Sequence, residues 1–216
     1  MRSPLTPEMP GTVNALVPLS LLEAVRSIDT PEGDDVEYVQ EHRNKRLGLS
    51  DTVIAQIRRY KDAMKRGQEI VVPEAMGISK LIGRRDDADG IFVRGGTGVA
   101  AKMYELIPFS RRKLIHILPG FAGRPLAFNQ LQAVTLRYLG GTITKAGSSL
   151  VLSVTESVTQ GSAPRSLGCT YYESALREML KLLVSGSGMV DHARCLDRGD
   201  GVCEWRAEWR TSKVRG

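Results

Sequence analysis

Apolar positions recur at helical spacing through the first two thirds of the chain and at strand spacing towards its end. Residues 19–28 have the period of a short helix, ended by Asp29, Thr30 and Pro31. Otherwise residues 1–46 are poorly patterned, with a turn or linker at 31–35. Ser50 can cap a helix carrying Val53, Ile54, Ile57, Tyr60 and Met64 on one face, with Gly67 at its end. A shorter helix begins at Pro73, a residue suited to a first helical turn, and breaks near Gly83. Further helices are expected over about 87–106, 110–118 and 125–138, the last stopped by Gly140 and Gly141.

The period then changes to two. Leu150, Leu152 and Val154 alternate with their neighbours as in a strand, and residues 141–145 can pair with it across a turn at 146–149. Residues 160–165 form a polar loop. A helix follows over 169–183, with Cys169, Tyr172, Leu176, Met179, Leu180 and Leu183 on one face and Gly186 and Gly188 beyond its end. Strands at 189–195 and 202–210 form a final hairpin around a turn rich in Asp and Gly. On the second of these strands Cys203, Trp205, Ala207 and Trp209 share one face. The predicted fold is α+β, a helical layer packed on an antiparallel sheet. Two segments are expected: residues 1–46 as a lead-in, and 47–216 as one domain.

Composition adds little. Hydrophobic residues make up 42% and charged residues 25%, ordinary for a globular domain. No run of eighteen apolar residues occurs, so no membrane span is expected. Residues 1–10 lack the basic start and apolar centre of a secretory signal and read as a disordered lead-in, which makes the cytoplasm the expected compartment. The net charge of +6 raises an acidic partner, nucleic acid included, with the helix around Arg58, Arg59, Lys61, Lys65 and Arg66 as its contact. The basic residues are dispersed, however, and a solvated surface is the plainer reading.

The candidate chemistry lies in the cysteines. All three fall in the last 48 residues, and with His192 they make the spacing C-x22-H-x2-C-x7-C: Cys169, His192, Cys195 and Cys203. A hairpin brings Cys195 and Cys203 together, and a helix packed on it can place Cys169 above them. Three thiolates and an imidazole would complete a closed tetrahedral zinc site. One obstacle stands out. Residues three apart on a regular strand point to opposite faces, so His192 and Cys195 reach one metal only if the strand bulges or ends near Arg194. Spacing alone leaves two readings open: metal ligands, or small buried apolar residues.

Residues 168–205, and above all the segment ARCLDRGDGVCEW, resemble the C-terminal signature of the 4-vinyl-reductase domain, named after a bacteriochlorophyll-synthesis protein. In phenol-sensing activators that carry this domain, zinc is held by Cys, Glu, Cys and Cys at similar spacing. Cys169, Cys195 and Cys203 match three of those ligands, and His192 stands where the family has Glu. Upstream, GGTGVAAKMYELIP and ILPGFAGRPLAFNQLQAVTLRYLGG resemble the family's middle helices, so the likeness covers about 85–210. It implies a structural zinc, a fold similar to subunits of the TRAPP vesicle-tethering complex, a homodimer, and a small hydrophobic ligand such as a tetrapyrrole or aromatic compound.

Other features read blandly. RGGTGVAAK lacks the spacing of a phosphate loop and is taken as a flexible lead into a helix. His116 is expected to be a packed histidine, and Phe121, Phe128 and Tyr138 to be core. No catalytic set and no nicotinamide-binding glycine motif stands out. The expected function is a zinc-stabilised ligand carrier, or a sensor signalling through a protein partner. The alternatives are a vinyl-tetrapyrrole reductase (or its accessory protein) and a nucleic-acid-binding regulator.

Overall fold

A computed structural model describes residues 11–30, 48, 50–184 and 189–209. The expectations for residues 1–10, the linker at 31–35, the glycines Gly186 and Gly188 and the strand end at Arg210 lie outside the described residues. The elements are β1 (Thr12–Asn14), α1 (Leu16–Asp29), α2 (Asp51–Lys65), β2 (Glu69–Val71), α3 (Val72–Ile82), α4 (Ala88–Glu105), α5 (Phe109–Ile117), α6 (Gly120–Leu139), β3 (Thr142–Ala146), β4 (Ser149–Val154), α7 (Thr170–Val184), β5 (Val190–Arg194) and β6 (Cys203–Glu208). This is a mixed α+β fold with a four-stranded antiparallel sheet in the order β3-β4-β6-β5 and a small antiparallel pair, β1-β2. Sequence reasoning missed that pair, because three-residue strands are too short to show a period.

Residues 12–29, part of the poorly patterned segment, belong to the common core. Leu16, Val17, Leu21 and Val25 on α1 are buried within it. At the end of that helix Asp29, almost fully buried, accepts two hydrogen bonds from the Arg85 guanidinium, at 2.7 and 3.0 Å, and one from the backbone N–H of Gly48 at 2.7 Å. Ser50 caps α2 by accepting from the Val53 N–H at 3.3 Å, and Gly67 follows the helix with φ +65°.

The closest helix packing is between α4 and α7. A Cβ on Gly96 would stand 2.1 Å from the carbonyl oxygen of Tyr171, so only glycine lets the two backbones approach this far. RGGTGVAAK is thus the interior of α4 rather than a flexible lead into it. Its glycines serve helix packing. Two further expectations fail: His116 is exposed, hydrogen-bonded to Tyr104 at 3.2 Å, and Phe121 is 84% exposed. On α5 the buried residue is Ile115, so the helix turns His116 outwards. Helix α6 starts at Gly120, five residues before Pro125, which lies inside it. Phe128 and Tyr138 pack at the core's margin.

The sheet follows the alternation. Leu150, Leu152 and Val154 of β4 pair with Ala207, Trp205 and Cys203 of β6, and all six side chains are buried. This apolar face meets α7, whose Tyr171, Tyr172, Ala175 and Leu176 are also buried. The metal-ligand candidates sit where α7 begins and the β5-β6 hairpin turns.

Candidate metal centre

Strand β5 resolves the parity problem by bulging. His192 pairs with Trp205 and Arg194 with Glu204, which leaves Ala193 as the extra residue. An extra residue shifts the alternation by one, so Cys195 comes to the side that His192 and Cys203 already face. The bulge falls one residue before the position that spacing required.

After Cys195 the chain makes a tight knuckle. The Cys195 carbonyl accepts from the N–H groups of Arg198 and Asp200, at 3.0 and 3.1 Å. The Asp200 carboxylate accepts from the Cys195 N–H at 2.7 Å, closing the loop. Gly199 supplies the left-handed residue, φ +88°. Within this knuckle the Leu196 N–H points at the Cys203 sulfur, 3.3 Å away. An N–H aimed at sulfur favours its thiolate.

Cys169 arrives from the other side, as the last residue of the 3-10 turn Pro164–Cys169 that leads into α7. The approach is tight: a Cβ on Gly168 would stand 2.3 Å from the Ser162 Oγ and 2.8 Å from the Thr159 carbonyl. The Asp197 carboxylate, accepting from the Gly161 N–H at 2.9 Å, ties this loop to the knuckle. Ser166, at φ +59°, places its hydroxyl 3.2 Å from the Cys195 sulfur.

Cys169, His192, Cys195 and Cys203 therefore converge, with one ligand atom from each and all four within 4.8 Å of one another. The cysteines are buried and unpaired by disulfide, and His192 is half-buried. The arrangement can coordinate a metal ion. Two observations test the fit. The sulfurs of Cys169 and Cys195 are 3.8 Å apart, and two thiolates on one tetrahedral zinc stand roughly 3.8 Å apart, given a Zn–S bond of about 2.3 Å. The His192 Nε2 is buried without a hydrogen-bond partner, a costly state for a ring nitrogen unless something else satisfies it.

The sulfurs differ in proton affinity. A hydrogen bond from Cys169 holds the Cys203 thiol below the usual range, helped by His192 and the Leu196 N–H. The same bond, with burial, pushes Cys169 up. A cation bound there would displace thiol protons.

Aromatic rings support the site from behind. The imidazole of His192 stacks on Trp205 at 5.0 Å and 11°, and Tyr172 stacks on the indole at 5.0 Å and 28°. The Tyr172 hydroxyl accepts from the Val158 N–H at 3.2 Å. Sequence alternation had placed Trp205 beside Cys203. Ser166 and the stack itself carried no sequence signal, since each acts through contacts distant in the chain, and Asp200 was legible only as a turn residue.

The nucleic-acid reading loses support from α2. Arg59 pairs with Glu74 at 3.0 Å, Lys61 with Glu23 at 2.8 Å and Lys65 with Asp62 at 3.8 Å, so much of that helix's charge is locally balanced. Surface depressions formed by described residues include ones of about 510, 350 and 940 Å³. None of these three is lined by a metal-ligand candidate; that of about 940 Å³ includes Ser166 and Asp197. No helix among the described residues is long and apolar enough to cross a membrane. Compared with family models, with curated proteins and with solved structures, the chain matches none.

Proposed function

We propose that the chain is a zinc-stabilised binding module for a small hydrophobic molecule, of the 4-vinyl-reductase type. The observation that carries this reading is the convergence of Cys169, His192, Cys195 and Cys203 from three separate segments onto one point. Soft sulfur donors favour zinc over magnesium or calcium. Four protein ligands leave no open position, so the metal would be structural. Bound there, zinc would contribute folding energy by joining the start of α7 to the β5-β6 hairpin. His192 in place of the family's Glu makes the site one charge less negative.

The groove of about 350 Å³ between α1, α2 and the end of α4 supports the ligand half of the reading. Leu16, Leu19, Met64 and Leu106 give it an apolar floor, and its rim carries the ion pairs Lys61–Glu23 and Lys102–Glu105. That lining suits the apolar body of an aromatic compound or a tetrapyrrole. The metal site and the groove share a support: Tyr171 on α7 exchanges a hydrogen bond of 2.9 Å with Ser20 on α1. The module would work as a carrier, or as a sensor through a partner, with a homodimer as its expected state.

The test is a thermal-shift titration with aromatic carboxylates and porphyrins. Leu106 is 47% exposed, so Leu106→Glu should fold normally yet lose most of the ligand-induced stabilisation. Equal stabilisation of both proteins would move the ligand elsewhere. No stabilisation of either would remove the ligand-binding reading.

A further inference from the structure

Charge is unevenly distributed along the chain. Between Leu106 and Thr155 there are six Lys or Arg and no Asp or Glu, so this stretch alone carries as much positive charge as the whole chain's net +6. The remainder of the chain is balanced.

Inside this stretch, α5 and the first turn of α6 form a corner with an unusual surface. Phe109, Leu114, Ile117 and Phe121 are exposed to 71, 46, 67 and 84%. Side chains that large are normally turned inwards, and four of them exposed between residues 109 and 121 point to an interaction site. Arg111 and Lys113 stand exposed beside them; neither pairs with a carboxylate among the described residues, and Arg111 donates a hydrogen bond to the Gln130 side-chain oxygen at 3.3 Å. The corner is therefore apolar at its tips and cationic between them.

We propose that this corner docks on an anionic lipid surface, with Phe109, Ile117 and Phe121 entering the headgroup boundary and Arg111 and Lys113 meeting the lipid charges. Apolar side chains interleaved with basic ones are what such an interface requires. A nucleic acid would use the aromatic faces and the cations but leave Leu114 and Ile117 in water. A second copy packed on the same corner about a two-fold axis would bury Arg111 and Lys113 of both copies with no carboxylate from this stretch to meet them. An anionic bilayer satisfies both halves of the patch. The docking stands on residues other than the metal centre and does not depend on it.

The test is co-sedimentation of the full chain with phosphatidylcholine vesicles, with and without phosphatidylserine, at low and high salt. The chain should bind the anionic vesicles alone and release as salt rises. Lys113→Gln should weaken binding roughly fivefold, the share of one basic residue near such a surface. The double variant Ile117→Ser, Phe121→Ser should lose roughly tenfold or more, while melting with the parent protein. No vesicle binding at low salt would overturn the proposal, as would equal binding to neutral vesicles or unchanged binding by both variants. A double variant that turns a dimer into a monomer, in a protein that ignores vesicles, would assign the corner to a second copy. Salt-sensitive binding of single-stranded oligonucleotide without vesicle binding would assign it to nucleic acid.

Discussion

The sulfurs of Cys169 and Cys195 lie 3.8 Å apart although 26 positions separate them in the chain. A helix start and the end of a bulged strand are thereby brought to the distance that two ligands of one tetrahedral ion keep. The Tyr172–Trp205 stack and the Asp197–Gly161 hydrogen bond already join these segments, and an ion held by the four donors would add to them. Chelation of the purified protein should therefore lower its melting temperature and loosen the C-terminal hairpin first. A metal present at a thousand times its dissociation constant contributes about 4 kcal/mol. Hydrogen exchange with and without chelator checks this, and protection of Cys195 and Cys203 amides should fall before that of α4.

Two glycines of one helix should respond oppositely to the same substitution. Gly96 faces the Tyr171 carbonyl, where a Cβ would come to 2.1 Å, whereas a Cβ on Gly98 meets nothing within 4 Å. Gly96→Ala should cost about 2–3 kcal/mol by forcing α4 and α7 apart. Gly98→Ala should stabilise by roughly 0.5–1 kcal/mol, through the lower entropy of the unfolded chain. Denaturant melts of both variants measure the contrast.

Asp29 and Arg85 form a nearly buried pair that pins the end of α1. Arg59 and Glu74 form a more exposed one, with the arginine side chain 53% accessible. Removing one partner of a fully buried pair costs 3–5 kcal/mol. Arg85 retains 22% exposure, so Arg85→Ala should cost about 2–3 kcal/mol after allowing for solvent screening. Arg59→Ala should cost about 0.5 kcal/mol or less. Chemical denaturation of the two variants would show whether burial sets the difference.

The protein should also be sensitive to alkali. Burial pushes the Tyr172 hydroxyl up to about 12, and burial raises Tyr171 and Tyr60 further. Because these groups hold their protons more tightly folded than unfolded, their stabilising effect is complete below about pH 10, the unfolded value. It is lost as pH rises from there through about 12. An absorbance titration should find these three tyrosines, of the six in the chain, ionising only together with unfolding. Early, independent ionisation of all six would mean that the hydroxyls are not buried.

Much of this architecture was legible in the residues, for identifiable reasons. The Leu150, Leu152, Val154 alternation and the Cys203, Trp205, Ala207 alternation read directly as buried strand faces, and all six residues are buried; that the two strands pair with each other was not legible. The Ser50 cap and the Gly67 stop are local chemistry, and they too were readable. The bulge at Ala193 followed from requiring His192 and Cys195 to share a side. What escaped was set by tertiary contact. RGGTGVAAK looks flexible in isolation but is helix interior, with Gly96 packed against the Tyr171 carbonyl. Phe121 looks like core by its type, and only the packing of α5 and α6 turns it outwards. The short pair β1-β2 has no period to read, and Asp29 gains its role from Arg85, 56 positions away.

The most direct test of the central claim is the metal content of the purified full chain, measured beside a Cys195→Ser variant. About one zinc per chain is expected, with the variant metal-poor and melting well below the parent protein. A parent protein that is metal-free, folded and no more stable than the variant would contradict it, and Cys169, Cys195 and Cys203 would then be ordinary buried thiols.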